Sequence, residues 1–244
     1  MSSLQNFKLH YLPAISCCWF IITFATTYFI AVFYKHVYPV LPYISETGAN
    51  PPESCIFGQM LNIGAFLLSL NMYVRYRQVD FAIKSNNVRI SQKWNEISVV
   101  IGYLICLGIT VVGNFQQNTV LYIHLIGALV TFGGTAIMFI LQTRISFALR
   151  SFYEKHPTYG VGEYIVYFRL ILTICYIIFF IALCIFSFVS VEEFTGINYN
   201  WWTEEHGGYF WHVLSTSSEW FLVVTLVLHL ITVVLRYYLF NKFA

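Results

Sequence analysis

The sequence predicts an all-α protein, a polytopic bundle of six transmembrane helices that forms one integral membrane domain over residues 1–244. Hydrophobic residues make up 58% of the chain and charged residues only 10%, and the mean hydropathy is +0.68. Soluble domains carry about 25% charged residues. An α-helix needs about 17 to 25 mainly apolar residues to cross the hydrocarbon layer. Six such runs occur, at residues 11–34, 56–74, 97–113, 120–141, 170–191 and 211–235.

The first run is too long for the apolar part of a signal peptide, and no small-x-small cleavage site follows it. We therefore expect it to be a retained helix. The third run is at the short end of the spanning range. The sixth run contains a carboxylate, Glu219, whereas the remaining runs are nearly free of ionisable side chains.

The distribution of basic residues predicts the orientation of the bundle, because lysine and arginine near membrane ends stay preferentially in the cytoplasm. We number the connectors between successive runs from 1 to 5. Most basic residues lie in connectors 2 and 4 and in the C-terminal tail: Arg75, Arg77, Lys84, Arg89, Lys93, Arg144, Arg150, Lys155, Arg169, Arg236 and Lys242. Connectors 1, 3 and 5, the odd connectors, contain a single lysine or arginine, Lys35. They contain six acidic residues: Glu46, Glu53, Glu192, Glu193, Glu204 and Glu205. Both termini are therefore predicted to be cytoplasmic, with the odd connectors on the lumenal side.

Polar residues fall on one face of three predicted helices, mainly toward their lumenal ends. His212 and Glu219 are seven residues apart, nearly two full turns, so they share a face of the sixth helix. His124 belongs to a polar stripe on the fourth helix, and Asn62 to one on the second. We hypothesise that Asn62, His124, His212 and Glu219 converge in a lumenal polar site. The alternative is that they form separate hydrogen bonds between helices.

The first connector has an unusual sequence, "LPYISETGANPPES" at residues 41–54. Its prolines restrict the backbone, Gly48 permits a turn with positive φ, and nearby hydroxyl or amide side chains can satisfy local amides. Glu53 can begin the second helix favourably, since a carboxylate there opposes the helix dipole. We therefore expect a rigid lid over the lumenal face. Its marked residues are Pro42, Tyr43, Ser45, Thr47, Gly48, Pro51, Pro52 and Glu53.

The extended stretch "LPYISETGANPPESCIFGQMLN" resembles the signature of the DRAM family (damage-regulated autophagy modulators), within the wider DRAM/Frag/Sfk group. "NFQ" from Asn114, "HLIGALVTFGG" from His124, "LQTRIS" from Leu141 and "FWHVLSTSSEW" ending at Trp220 resemble the family pattern at comparable positions. The resemblance implies six helices with both termini cytosolic. It also implies a lysosomal or endosomal membrane protein that promotes autophagy.

Two classes of function remain open at this point. The first is a non-enzymatic regulator that binds membrane lipids or recruits protein partners of the autophagy and lysosomal machinery. The second is a lipid-handling enzyme or lipid-transfer protein in which His212, His124 and Glu219 perform acid–base chemistry. A transporter is a third reading, which the lack of an internal repeat disfavours. The sequence indicates no cofactor, no metal site and no nucleic-acid partner.

Overall fold

The computed structural model describes residues 11–85, 90–155 and 163–240, and these residues form helices joined by connectors. The helices are α1 (Tyr11–Phe33), α2 (Glu53–Ser85), α3 (Gln92–Asn114), α4 (Leu121–Ala148), α5 (Arg150–Lys155), α6 (Glu163–Glu193) and α7 (Tyr209–Phe240). A short 3-10 turn, Glu46–Gly48, lies between α1 and α2. Six of the helices are long and apolar enough to cross a membrane, and the described residues include no strand. The all-α, six-span prediction is confirmed.

Several helices extend well beyond the apolar runs that predicted them. The second run was expected to end at residue 74, yet α2 continues to Ser85, and α6 begins at Glu163 instead of residue 170. The 33 residues of α2 span about 50 Å, more than the roughly 30 Å of hydrocarbon. Apolar composition marks the part of a helix inside the bilayer, whereas lysine and arginine continue the helix into water. The short helix α5 was not predicted either, because its sequence, RSFYEK, is not an apolar run.

The helices form one bundle in which helices adjacent in sequence pack side by side, and two further helix pairs complete the packing. These pairs are α1 with α7 and α4 with α6. Five helices contribute to a central apolar core that contains Phe20, Leu61, Ile105, Met138 and Leu230. Six spans return the chain to its starting side, so connectors 1 (residues 34–52), 3 (115–120) and 5 (194–208) share one end of the bundle. We call it the connector-1 end.

The structure corrects the predicted exposure of four charged side chains. Arg75 and Arg169, counted with the cytoplasmic charges, are buried inside the bundle with 6% and 0% exposure. Glu46 and Glu53, counted with the lumenal surface charges, are also buried. Arg89 and Lys242 lie outside the described residues. The charge asymmetry still holds for exposed side chains, because Arg77, Lys84, Lys93 and Arg144 are exposed away from the connector-1 end, and Glu192, Glu193, Glu204 and Glu205 are exposed at it.

Candidate functional site

The middle of connector 1, residues 42–50, is inserted into the bundle and is not a lid over it. We call residues 39–52 the plug. Ile44, Thr47 and Ala49 have at most 5% exposure, and the 3-10 turn at the centre of the plug packs against α1 and α2. A loop buried in this way must have its backbone amides satisfied by protein, because the surrounding membrane offers no water. The side chains that satisfy them define the candidate site.

Two buried carboxylates bind consecutive backbone amides of the plug. Tyr43 donates its N–H to Glu46 Oε2 at 2.9 Å, within the plug itself. Ile44 donates its N–H to Glu219 Oε2 at 2.8 Å, from α7. Glu219 is 6% exposed, and the plug contacts it inside the bundle. Carboxylates thus accept these two amide hydrogens, instead of the nearby hydroxyl or amide side chains that the sequence predicted.

Further polar side chains of α7 fix the first part of the plug. Tyr43 donates its phenol O–H to Ser215 Oγ at 2.7 Å. The Trp220 indole donates to the carbonyl oxygen of Pro42 at 3.0 Å. Ser215 and Glu219 are four residues apart and share a face of α7. Trp220 directly follows Glu219, so all three side chains reach the plug from one part of the helix. The polar face that the sequence showed on this helix therefore binds the plug.

The remaining sides of the plug are held by α1 and connector 3. Thr47 and Thr27 of α1 share a hydrogen bond of 3.0 Å between their hydroxyl oxygens, and both side chains are fully buried. Ser45 donates to the Gln117 side-chain oxygen at 2.7 Å. The plug thus links α1, connector 3 and α7 at the connector-1 end.

Gly48 is required for space and not for backbone geometry. Its φ is not positive, which contradicts the predicted turn, and the positive φ in the plug belongs to Leu41 at 43°. A Cβ added at Gly48 would run into the ring of Phe57 on α2. The glycine therefore allows the 3-10 turn to lie directly against that ring.

Glu53 begins α2, as the sequence predicted, and it also forms a hydrogen bond with a histidine. Its Oε1 lies 2.6 Å from His36 Nδ1, and its side chain has no exposed surface. His36 is 30% exposed. The pair closes the chain around the plug, since His36 precedes it and Glu53 follows it.

His212 lies beside the plug in an aromatic environment. Its ring stacks on Trp202 of connector 5 with centroids 4.2 Å apart, and Tyr43 meets it edge-on at 5.3 Å. The ring is 3% exposed, and Nδ1 has no hydrogen-bond partner within the described part of the chain. His212 therefore contacts its surroundings mainly through its ring faces and edge.

Asn62 and His124 belong to different contacts. Asn62 of α2 exchanges two side-chain hydrogen bonds with Asn114 of α3, at 3.2 and 2.9 Å. His124 is buried, and its Nδ1 lies 2.7 Å from the carbonyl oxygen of Phe115, just after α3 ends. The structure thus brings His212 and Glu219 to the plug, whereas Asn62 and His124 stabilise the packing of α3 on its neighbours.

Burial changes the acid–base properties of the plug. It raises the pKa of Glu46 from 4.5 to about 8, and the neighbouring Glu219 carboxyl adds to the effect. Burial likewise raises the pKa of Tyr43 to about 12. Both side chains are therefore neutral at pH 7, and Glu46 becomes more fully protonated as the surroundings become acidic.

The contacts at the site are those of a structural interlock. No hydrogen bond joins His212 to Glu219 or Glu46 among the described residues, although a general acid or base must lie about 2.6 to 3.2 Å from its proton partner. No group of three or more potential metal ligands occurs in the described ranges. Gln117, Thr27 and Trp202 also contact the plug or His212. They lie outside the polar helix faces from which the site was predicted, so no pattern in the sequence marks them.

Six apolar helices and a buried connector define the class of the molecule, a multipass helical membrane protein. The chain matches the family described as "Frag1/DRAM/Sfk1/Cwh43P N-terminal domain" over residues 8–235. It therefore belongs to the DRAM family and its wider group. This finding confirms the resemblance that the sequence showed in the plug and in the stretch ending at Trp220, which we call the α7 motif.

Named relatives agree with this assignment. The chain is 37% identical to the cattle (Bos taurus) DNA damage-regulated autophagy modulator protein 2 over 215 residues, covering 87% of this chain and 77% of that protein. It is 31% identical to the human (Homo sapiens) DNA damage-regulated autophagy modulator protein 1, covering 91% and 88%. It is 33% identical to the Xenopus laevis modulator of macroautophagy TMEM150B-A, covering 64% and 62%. No solved structure matches the chain.

Proposed function

We propose that this chain is a non-enzymatic multipass regulator of autophagy in the lysosomal or endosomal membrane. It acts by binding membrane lipid or by recruiting protein partners. The observation that carries the proposal is that Glu219, Ser215 and Trp220 are bound to the plug and so are not free for chemistry on a substrate. The names of the relatives, autophagy modulators, supply the process.

The raised pKa of Glu46 in the plug supports a lysosomal location. In the orientation predicted from lysine and arginine, the connector-1 end faces the lumen. Glu46 is buried there, and its raised pKa means that an acidic lumen keeps it neutral. A buried neutral carboxyl avoids the desolvation cost of a charge. The plug is therefore well suited to the low pH of a lysosome.

Substitution of His212 tests whether the protein acts as a non-enzymatic regulator or through acid–base chemistry of this side chain. His212→Phe keeps an aromatic ring against Trp202 and removes both ring nitrogens, whereas His212→Ala removes the stacking as well. Each variant is expressed in cells that lack the protein, and lysosome-dependent turnover of an autophagy cargo reporter is measured. Imaging of the tagged protein gives its location and abundance.

We expect His212→Phe to reach the lysosome and to restore turnover like the wild type, and His212→Ala to lose abundance. If His212→Phe is abundant in lysosomes yet restores nothing, the non-enzymatic proposal fails. Residence of the wild type in the plasma membrane alone would overturn the proposed location.

A further inference from the structure

A stacked arginine lies on the outer surface of the bundle, where α3 and α4 meet at the end opposite the connector-1 end. The guanidinium carbon of Arg144 on α4 is 4.3 Å from the centroid of the Trp94 ring, and Trp94 is in the first turn of α3. Stacking on an aromatic ring attracts the cation and fixes the orientation of its planar group. Arg144 is nevertheless exposed, so the ring holds the guanidinium in place without covering it.

The donors of this guanidinium are available to a ligand. Among the described residues, Arg144 has neither a hydrogen-bond acceptor nor a carboxylate partner. Lys93 directly precedes Trp94, is also exposed, and forms no ion pair in the described ranges. The acidic side chain of Glu96 is two residues after Trp94, about 200° around the helix, and therefore lies on another side of α3. Two cations without an anionic partner thus lie at the start of α3.

These side chains lie at the depth of phospholipid headgroups. Arg144 is close to the end of α4, about 35 Å along the helix from its first residue, which exceeds the roughly 30 Å of hydrocarbon. Tryptophan is enriched at the boundary between hydrocarbon and headgroups, which agrees with the place of Trp94. In the orientation predicted from lysine and arginine, this end faces the cytoplasm, and the cytoplasmic leaflet carries anionic phospholipids.

The helix surface one turn deeper in the membrane is apolar and exposed. Ile97 is three residues after Trp94, and Ile140 is four residues before Arg144, so each isoleucine shares a helix face with its partner. The two side chains are 45% and 50% exposed. Since α3 leads away from this end and α4 leads toward it, both isoleucines lie on the hydrocarbon side of the stacked pair. A cation above an apolar surface fits both parts of a phospholipid, whereas free phosphate would use the cation alone.

We propose that Arg144 and Lys93 bind the headgroup phosphate of an anionic phospholipid, whose acyl chains lie along Ile97 and Ile140. The planar guanidinium matches phosphate oxygens in geometry as well as in charge. Lys93 adds a second positive charge, which favours a headgroup with net negative charge over a zwitterionic one. The inference rests on the lipid-binding part of the proposed function and names the class of lipid.

The test uses the full chain in a maltoside detergent, which contains neither phosphate nor charge. Short-chain phosphatidylserine, short-chain phosphatidylcholine and inorganic phosphate are titrated in separate arms at constant ionic strength. A ligand that binds only the folded state raises the melting temperature with concentration, which gives an apparent affinity. We expect phosphatidylserine to bind about five-fold or more tightly than phosphatidylcholine, and inorganic phosphate to cause no rise at the same concentrations. Equal affinity for the two lipids, an equal effect of inorganic phosphate, or no rise with phosphatidylserine would overturn the proposal.

Substitutions locate the binding on the protein. Arg144→Gln should weaken the apparent affinity for phosphatidylserine by about ten-fold or more, the loss expected for hydrogen bonds to a charged group. Lys93→Gln should weaken it by about five-fold, and this variant decides the question if Arg144→Gln does not fold. Lys84→Gln is the matched control, because Lys84 is exposed at the same end and already paired with Asp80. It removes the same charge and should stay within about two-fold of the wild type. If Lys84→Gln loses as much affinity as the other two variants, or if none loses any, the proposal is wrong.

Expression of Arg144→Gln in cells that lack the protein separates the site from the proposed function. The cargo-turnover reporter is measured together with the abundance and location of the variant. Reduced turnover at normal lysosomal abundance, together with the loss of phosphatidylserine affinity, supports both the site and the lipid-binding route. Normal turnover in a variant that has lost this affinity supports the site alone and overturns lipid binding as the route of regulation.

Discussion

Replacing Glu219 by Leu tests the interlock between α7 and the plug most directly. The carboxylate accepts the Ile44 N–H at 2.8 Å, and it is 6% exposed. Leucine offers no acceptor, so the amide is left unsatisfied in a buried position, which costs about 1–3 kcal/mol. Glutamine keeps an oxygen in the same place, and Glu219→Gln should therefore change the stability by less than about 1 kcal/mol.

The magnitude translates into a measurable melting temperature. For chains of about this length, 1 kcal/mol shifts the melting temperature by about 2–4 °C, so Glu219→Leu should lower it by about 2–12 °C. Tryptophan fluorescence during heating is a suitable assay, because Trp202 and Trp220 lie at the plug. Glu204→Leu is the control, since Glu204 is exposed on connector 5. If Glu219→Leu melts within about 1 °C of the wild type, the plug does not depend on this hydrogen bond and the reasoning is refuted.

Three further predictions concern the plug and the orientation. Burial raises the pKa of Glu46 from 4.5 to about 8, so its contribution to stability is full below pH 4.5 and is lost as the pH rises through 8; melting temperatures across this range should fall with pH in the wild type and fall less in Glu46→Gln, and equal slopes would contradict the assignment. Gly48→Ala pushes a methyl group into Phe57 and should cost about 1–3 kcal/mol, with partial recovery in the double variant with Phe57→Leu; melting like the wild type would show that the contact is not tight. Cysteines placed at Lys84 and Glu204, both exposed, should react with an impermeant maleimide from opposite sides of sealed vesicles, and labelling from one side would disprove the six-span topology.

The sequence predicted the number of spans because the thickness of the bilayer imposes a minimum apolar length on each helix. It did not predict that α2 continues to Ser85, since polar residues can extend a helix once it leaves the hydrocarbon. It placed His212 and Glu219 on one face because helical spacing is a local property. It could not place Asn62 or His124 correctly, because their partners, Asn114 and Phe115, are determined by the way α2, α3 and α4 pack.

The plug and the α7 motif are complementary parts of one structure, and this explains why the first connector has so specific a sequence. One proline of the plug, Pro42, is buried, and proline has no backbone N–H to satisfy. Glu46 and Glu219 satisfy the neighbouring amides of Tyr43 and Ile44. A connector exposed to water would need neither feature. Burial therefore explains the sequence of the central part of the plug, residues 42–50.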